Sequence, residues 1–163
     1  GVKWRYLVEI NFELKSDLSQ EEFFKIKSDP EYAQKIVPEI LTLIKLISKD
    51  GNVSVYEEHS TFKGFRTKSI IQHTIDSSKI HEIKILEGDG EGSIIKEVFK
   101  SLPNGNSKLI VTGNLELSGP YKKMSIITKK LIHKIIKDLY ITLEESHKKY
   151  LNQNPRKQFG EYN

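Results

Sequence analysis

Cysteine is absent from the 163 residues. Disulfides, thiolate metal sites and cysteine nucleophiles are therefore excluded. Arginine is scarce: of the 26 basic residues, only Arg5, Arg66 and Arg156 carry a guanidinium. Arginine supplies most bidentate contacts to phosphate and guanine. A net charge of +4 carried by well-mixed lysines thus reads as a solvated surface with no nucleic-acid partner. No window approaches the ~20 apolar residues that span a bilayer. The start, Gly1-Val2-Lys3-Trp4, has neither an apolar h-region nor a cleavage site. The expectation is a soluble cytoplasmic protein without membrane insertion. The five histidines, His59, His73, His81, His133 and His147, show no HxxxH or HExxH spacing, so no metal is expected, nor any cofactor. Also missing are a Gly-x-Ser-x-Gly elbow, an internal repeat and a linker between domains.

What is present is pattern. Trp4, Tyr6, Val8, Ile10, Phe12 and Leu14 alternate with Arg5, Glu9, Asn11 and Glu13, the period of a half-buried strand. Ser19 followed by Glu22 forms a capping box for a short helix. Pro30 suits the first position of a second helix, which Pro38 closes. Six strands are then expected, over residues 41–49, 53–61, 65–75, 80–87, 93–102 and 108–117. Asp50-Gly51-Asn52, Asp76-Ser77-Ser78-Lys79 and Pro103-Asn104-Gly105-Asn106 supply turns between them. Gly88-Asp89-Gly90-Glu91-Gly92 offers backbone N–H groups as a phosphate cradle would. A strand follows it where a helix is required, and Asp89 and Glu91 repel anions, so it reads as a bent hairpin connection. Ser118-Gly119-Pro120 is expected to stop the sheet. From Tyr121 to about Leu151 the period becomes helical, with Met124, Ile127, Leu131, Ile135, Leu139 and Leu143 as the inward stripe, widened by Ile132, Ile136 and Tyr140. Residues 152–163 read as a polar, disordered tail after a domain spanning 1–151.

Short connections imply an antiparallel meander. Seven such strands twist and curl, and the one long amphipathic helix must cover the concave side. A curled surface and a straight rod leave a gap, and apolar concave gaps hold small ligands. The fold class is therefore α+β: a seven-stranded curved antiparallel sheet wrapped on a long C-terminal helix, with two short helices after the first strand.

This order, with Asp29-Pro30-Glu31-Tyr32 through Val37-Pro38, Leu86 through Ser93 and the closing Lys122-to-Leu151 helix, resembles the START-like helix-grip superfamily. That superfamily includes pollen-allergen-type proteins, polyketide cyclases and coenzyme Q-binding proteins. The resemblance spans about residues 3 to 151. It implies binding of lipids, sterols, polyketides or isoprenoids between sheet and C-terminal helix, and it supplies no universal catalytic set.

The candidate ligand-binding residues are Tyr56, Phe65, Thr67, Ser69, Ile71, His73, Ile83, Phe99, Met124, Ile127, Leu131 and Ile135. His73 shares a strand phase with Thr67, Ser69, Ile71 and Ile75. Facing inward, it would orient a ligand hydroxyl or carbonyl; otherwise it is satisfied by a neighbouring strand or sits at the rim. His81 shares a phase with Ile83 and Ile85 and has the same two readings. Glu97 lies between Ile95 and Phe99, and Lys96 between Ile94 and Val98. Both faces are equally apolar, so the pattern does not say which charge points inward. The cost of burying an unpaired charge favours the surface for Glu97, and a buried Glu97 would have a raised pKa and could act as acid or base. Three functions fit: a carrier of a hydrophobic small molecule, a cyclase or dehydratase with a pocket acid or base, and a chaperone-type interaction module.

Overall fold

The computed structural model describes residues 3–120 and 129–154. Strand β1 (Lys3–Ser16) is followed by helices α1 (Gln20–Ser28) and α2 (Pro30–Ile36). Strands β2 (Leu41–Asp50), β3 (Val53–Phe62), β4 (Phe65–Asp76), β5 (Ile80–Gly88), β6 (Ile94–Ser101) and β7 (Ser107–Pro120) come next, and helix α3 (Lys129–Gln153) is the last described element. One seven-stranded sheet has the order β1-β7-β6-β5-β4-β3-β2, with every neighbouring pair antiparallel. The meander and both short helices are as expected. The sheet does not stop at Ser118-Gly119-Pro120: β7 stays paired with β1 as far as Pro120 opposite Lys3. Helix α3 runs past Leu151 to Gln153. Its expected start at Tyr121, and residues 155–163 of the tail, lie outside the described residues.

The helix ends are capped as their sequences dictate. The Ser19 hydroxyl accepts from the Glu22 amide at 3.1 Å. Asp29 ends α1 and begins α2: its Oδ1 accepts from the amides of Glu31 and Tyr32, and its Oδ2 binds Lys25 Nζ at 2.7 Å. Asp29→Ala frees two helix amides and one lysine. Urea denaturation should record a loss of about 1–2 kcal/mol.

Register decides which residues face inward. Val8 and Ile10 of β1, Leu109 and Val111 of β7, and Ile95 and Phe99 of β6 are buried on the helical side. They form one core with Phe23 and Ile26 of α1, Tyr32, Ala33 and Ile36 of α2, and Ile132, Tyr140 and Leu143 of α3. The Phe99 ring meets Phe23 and Phe24 edge to face, with centroids 5.5 and 5.3 Å apart. Gly113, at φ +146°, lies opposite Ile10 of β1 and Ile95 of β6. A Cβ there would stand 2.1 Å from the Ile94 carbonyl oxygen.

The buried face of α3 keeps Leu143 of the expected stripe and is centred on Ile132 and Tyr140, which were expected to widen it, rotated away from Leu131. Ile132, Tyr140, Leu143 and His147 are buried, whereas Leu131 is 40% exposed. The rotation follows from the helix's two contacts. Tyr140 reaches the sheet, packing on Phe12 at 5.5 Å, and His147 reaches Tyr32 of α2. Apolar periodicity alone does not weight a tyrosine and a histidine as the centre of a buried face. Among the described residues, no helix is long and apolar enough to cross a membrane.

Candidate functional site: a cleft beside a buried polar chain

The seating of α3 is uneven. Its second half is held on α1 and α2: the Tyr32 hydroxyl meets His147 Nδ1 at 2.9 Å, and Glu22 meets His147 Nε2 at 3.2 Å. Burial pushes the His147 pKa down, against the pull of Glu22. The first half stands over a cleft of about 630 Å³ lined by Phe12, Lys130, Leu131, His133, Lys134 and Lys137. Ile71, Ile83, Leu115 and Leu117, on the same face of the sheet, are only half-buried.

A polar chain crosses the inner face, and its Glu97 end is linked through Tyr140 to Phe12 on the cleft wall. Glu58 of β3 meets His73 Nε2 of β4 at 2.5 Å; His73 Nδ1 meets His81 Nε2 of β5 at 2.8 Å; His81 Nδ1 meets Glu97 of β6 at 2.7 Å. The Tyr140 hydroxyl of α3 donates to the second oxygen of Glu97. The strand phases make this possible. β3 turns Tyr56 and Glu58 inward, β4 turns Ser69 and His73, β5 turns His81, and β6 turns Glu97. His81 and Glu97 are directly opposite each other. The two imidazole planes are 7° apart, and the Tyr56 ring stands edge-on to His73 at 5.8 Å.

The surface position expected for Glu97 is therefore wrong: only 2% of it is exposed. Its charge is not unpaired, which was the ground for that expectation. Burial raises its pKa, but His81, Lys27 and Tyr140 together outweigh that and hold it below the usual carboxylate range. Tyr140, buried against the same carboxylate, is pushed well above its ordinary value. Tyr56 is pushed up to about 12, first by burial and then by Glu31, whose carboxylate accepts its hydroxyl at 3.3 Å.

Lys27 of α1 closes this end of the chain. Its Nζ lies 3.7 Å from the centroid of the Tyr140 ring and donates to the Tyr140 carbonyl at 3.4 Å. Burial lowers its pKa to about 7, while Glu97 and Glu144 pull it back up. An unfolded chain keeps this lysine protonated to about pH 10.5, so between pH 7 and 10.5 the unfolded state binds more protons than the folded one. Stability gains a rising component with pH across that window. Urea midpoints at pH 7 and pH 9 should show the rise, and Lys27→Met should flatten it; an unchanged slope in the variant refutes the assignment.

The twelve ligand-site candidates separate in space. Tyr56, Ser69 and His73 are buried on the inner face, with Thr67, Ile71 and Ile83 half-buried beside them. Phe65 stands 38% exposed at the β3–β4 hairpin. Phe99 is enclosed by Phe23 and Phe24. Leu131 lines the cleft, and Ile135 is half-buried on α3. Met124 and Ile127 lie outside the described residues. Glu58 and Tyr140 were not singled out as site residues. Glu58 shares a strand phase with Tyr56, but one glutamate in a polar strand gives no signal. Tyr140 read as part of a helix stripe. The loop 88–92 folds back on β4: Asp89 Oδ2 accepts from the Lys68 amide, and Ser69 Oγ donates to the Asp89 carbonyl. Among the described residues, no cluster of three or more His, Asp or Glu converges on a metal position.

No protein-family model matches the sequence, and no curated protein matches it. Solved structures do match in shape. An aromatase/cyclase from Streptomyces sp. R1128 superposes with a TM-score of 0.67 at 11% identity, covering 89% of this chain and 96% of its own. A START superfamily protein from Mycobacterium smegmatis gives 0.66 at 14% identity over 89% and 97%. Ara h 8.0201 gives 0.66 at 18% identity over 91% and 100%. At these identities the likeness is one of fold, and the chain has the helix-grip fold of the START-like and pollen-allergen-type proteins.

Proposed function

We propose that the protein binds a hydrophobic small molecule between the inner face of the sheet and the first half of α3. The observation that carries this reading is the cleft of about 630 Å³ with Phe12 and Leu131 on its walls. Its volume falls within the range of small-ligand sites, roughly 300–1,000 Å³. Half-buried Ile71, Ile83, Leu115 and Leu117 offer apolar surface whose removal from water is worth ~25 cal/mol per Å². Lipids, isoprenoids, sterols and polyketide-like molecules supply matching surface. The proposed site residues are those of the inner face and of α3, with Phe99 assigned to packing.

The test is a thermal-shift panel of sterols, fatty acids, quinones and aromatic polyketides, with mass spectrometry of whatever co-purifies. A ligand at a hundred times its Kd adds about 2.7 kcal/mol, which raises Tm by roughly 5–11 °C in a domain this size. Leu131→Glu should abolish that shift and leave the unliganded Tm within about 1–2 °C of wild type, because the side chain is 40% exposed. A panel with no stabilising compound sinks the reading.

A second reading, an enzyme of the cyclase or dehydratase type, is favoured by one observation: the Glu58–His73–His81–Glu97 chain lies on the same inner face. An aromatase/cyclase is also among the similar structures. Buried ionisable groups of this kind serve acid–base chemistry. Turnover of an aromatic polyketide substrate that is lost in His73→Gln would support this reading, and absence of turnover by the wild-type protein would rule it out.

A further inference from the structure

The links Glu58–His73, His73–His81 and His81–Glu97 measure 2.5, 2.8 and 2.7 Å. Each needs one proton between its two heavy atoms, because two lone pairs facing each other at such distances repel. The two imidazole planes are 7° apart with centroids 5.0 Å apart, and each ring commits both of its nitrogens to these links. Two carboxylates and two neutral imidazoles bring two protons to three links. One more proton is required in every arrangement, and the four groups then carry a net charge of −1. That proton has four seats: the Glu58 carboxyl, either ring as an imidazolium, or the Glu97 carboxyl. Moving it from one carboxyl end to the other reverses the direction in which every link donates.

We propose that this chain is a proton-loaded, singly negative relay whose open end at Glu58 accepts a hydrogen bond from the hydroxyl group of an apolar ligand. The ligand rests on the pocket reading above; the proton count rests on the chain alone. Glu58 is the open end because its side chain is 13% exposed, against 6%, 0% and 2% for His73, His81 and Glu97. The far end is closed, since Tyr140 donates to Glu97 and Lys27 lies beside them. Among the described residues, the other titratable groups near the chain are Tyr56, which donates to Glu31, and, next to Lys27, Glu144, which accepts from the Ser16 hydroxyl. In the singly negative state all three protons lie in the links, and the outward oxygen of Glu58 holds none. It can therefore accept one from a phenol or enol: the ligand O–H bond breaks, a Glu58 O–H bond forms, and the relay becomes neutral. Water restores the charge by taking that proton away.

The experiment uses two isosteric variants and needs no ligand for its first arm. In Glu58→Gln the remaining carboxylate, Glu97, must accept, so both rings should carry their proton on Nδ1. In Glu97→Gln the direction reverses, and both rings should carry it on Nε2. Nitrogen NMR of the two histidines reads this directly. Opposite tautomers support the relay. The same tautomer in both variants, or bare facing nitrogens in the wild type, overturns it. In the second arm, 2-naphthol binding should weaken about tenfold in Glu58→Gln and be retained in Glu97→Gln, a loss the size of one charge-assisted hydrogen bond. Equal weakening in both variants overturns the assignment of Glu58 as the open end. Failure of 2-naphthol to bind wild-type protein overturns the hydroxyl-ligand half, and the tautomer result stands separately from it.

Discussion

Glu97→Ala should lower the unfolding free energy by about 3–5 kcal/mol, the cost of removing one partner from a buried ionic network. The carboxylate is 2% exposed and holds three groups at once: His81, the Tyr140 hydroxyl and the neighbouring Lys27 charge. Truncation leaves a buried ring nitrogen and a buried hydroxyl without their acceptor. It also leaves a half-buried lysine facing less negative charge. Tyr140 is the contact by which α3 reaches the centre of the sheet, so the helix loosens together with the network. Glu97→Gln keeps the volume and one acceptor oxygen and should cost much less. Denaturant unfolding of both variants separates charge from packing. A loss below about 1 kcal/mol for the alanine variant would mean that the network contributes little to the fold.

The second large effect is expected at Gly113, where no charge is involved. At φ +146° the residue occupies backbone territory that an L side chain rarely adopts. An added Cβ would meet the Ile94 carbonyl oxygen at 2.1 Å and the Ile95 Cα at 2.9 Å. Both obstacles are backbone of the neighbouring strand β6, so neither can swing aside as a flexible side chain would. Gly113→Ala should therefore cost more than about 3 kcal/mol or prevent folding. Gly105→Ala is the control: φ is +85° and nothing lies within 4 Å of the added atom. That variant should lose only about 1 kcal/mol. Equal melting temperatures for the two variants would show that the sheet can yield at β7.

The two positions differ in how they could be found. Gly113 sits in an otherwise regular strand, and a lone glycine there signals a bend or a close approach without saying which neighbour is close. Glu97 gave a misleading signal. Its strand is apolar on both faces, so the period carries no information about direction, and the energetic default sends an isolated charge outward. What reverses that default is His81 on the adjacent strand, directly opposite, together with a tyrosine 43 residues further along the chain.

The linear order of residues by itself determined the meander, the two capped helices and the long terminal helix, because each depends on neighbours within a few positions: alternation, capping pairs and turn glycines. It also placed His73 and His81 in strand phases with aliphatic residues. Only the tertiary structure decided which phase faced inward, that Tyr140 and His147 centre the gripped face of α3, and that Glu58, His73, His81 and Glu97 form one connected chain. Those outcomes depend on register across four strands and on where a distant helix comes to rest. The energy of a buried charge is likewise a property of its assembled surroundings, and no local stretch of sequence contains them.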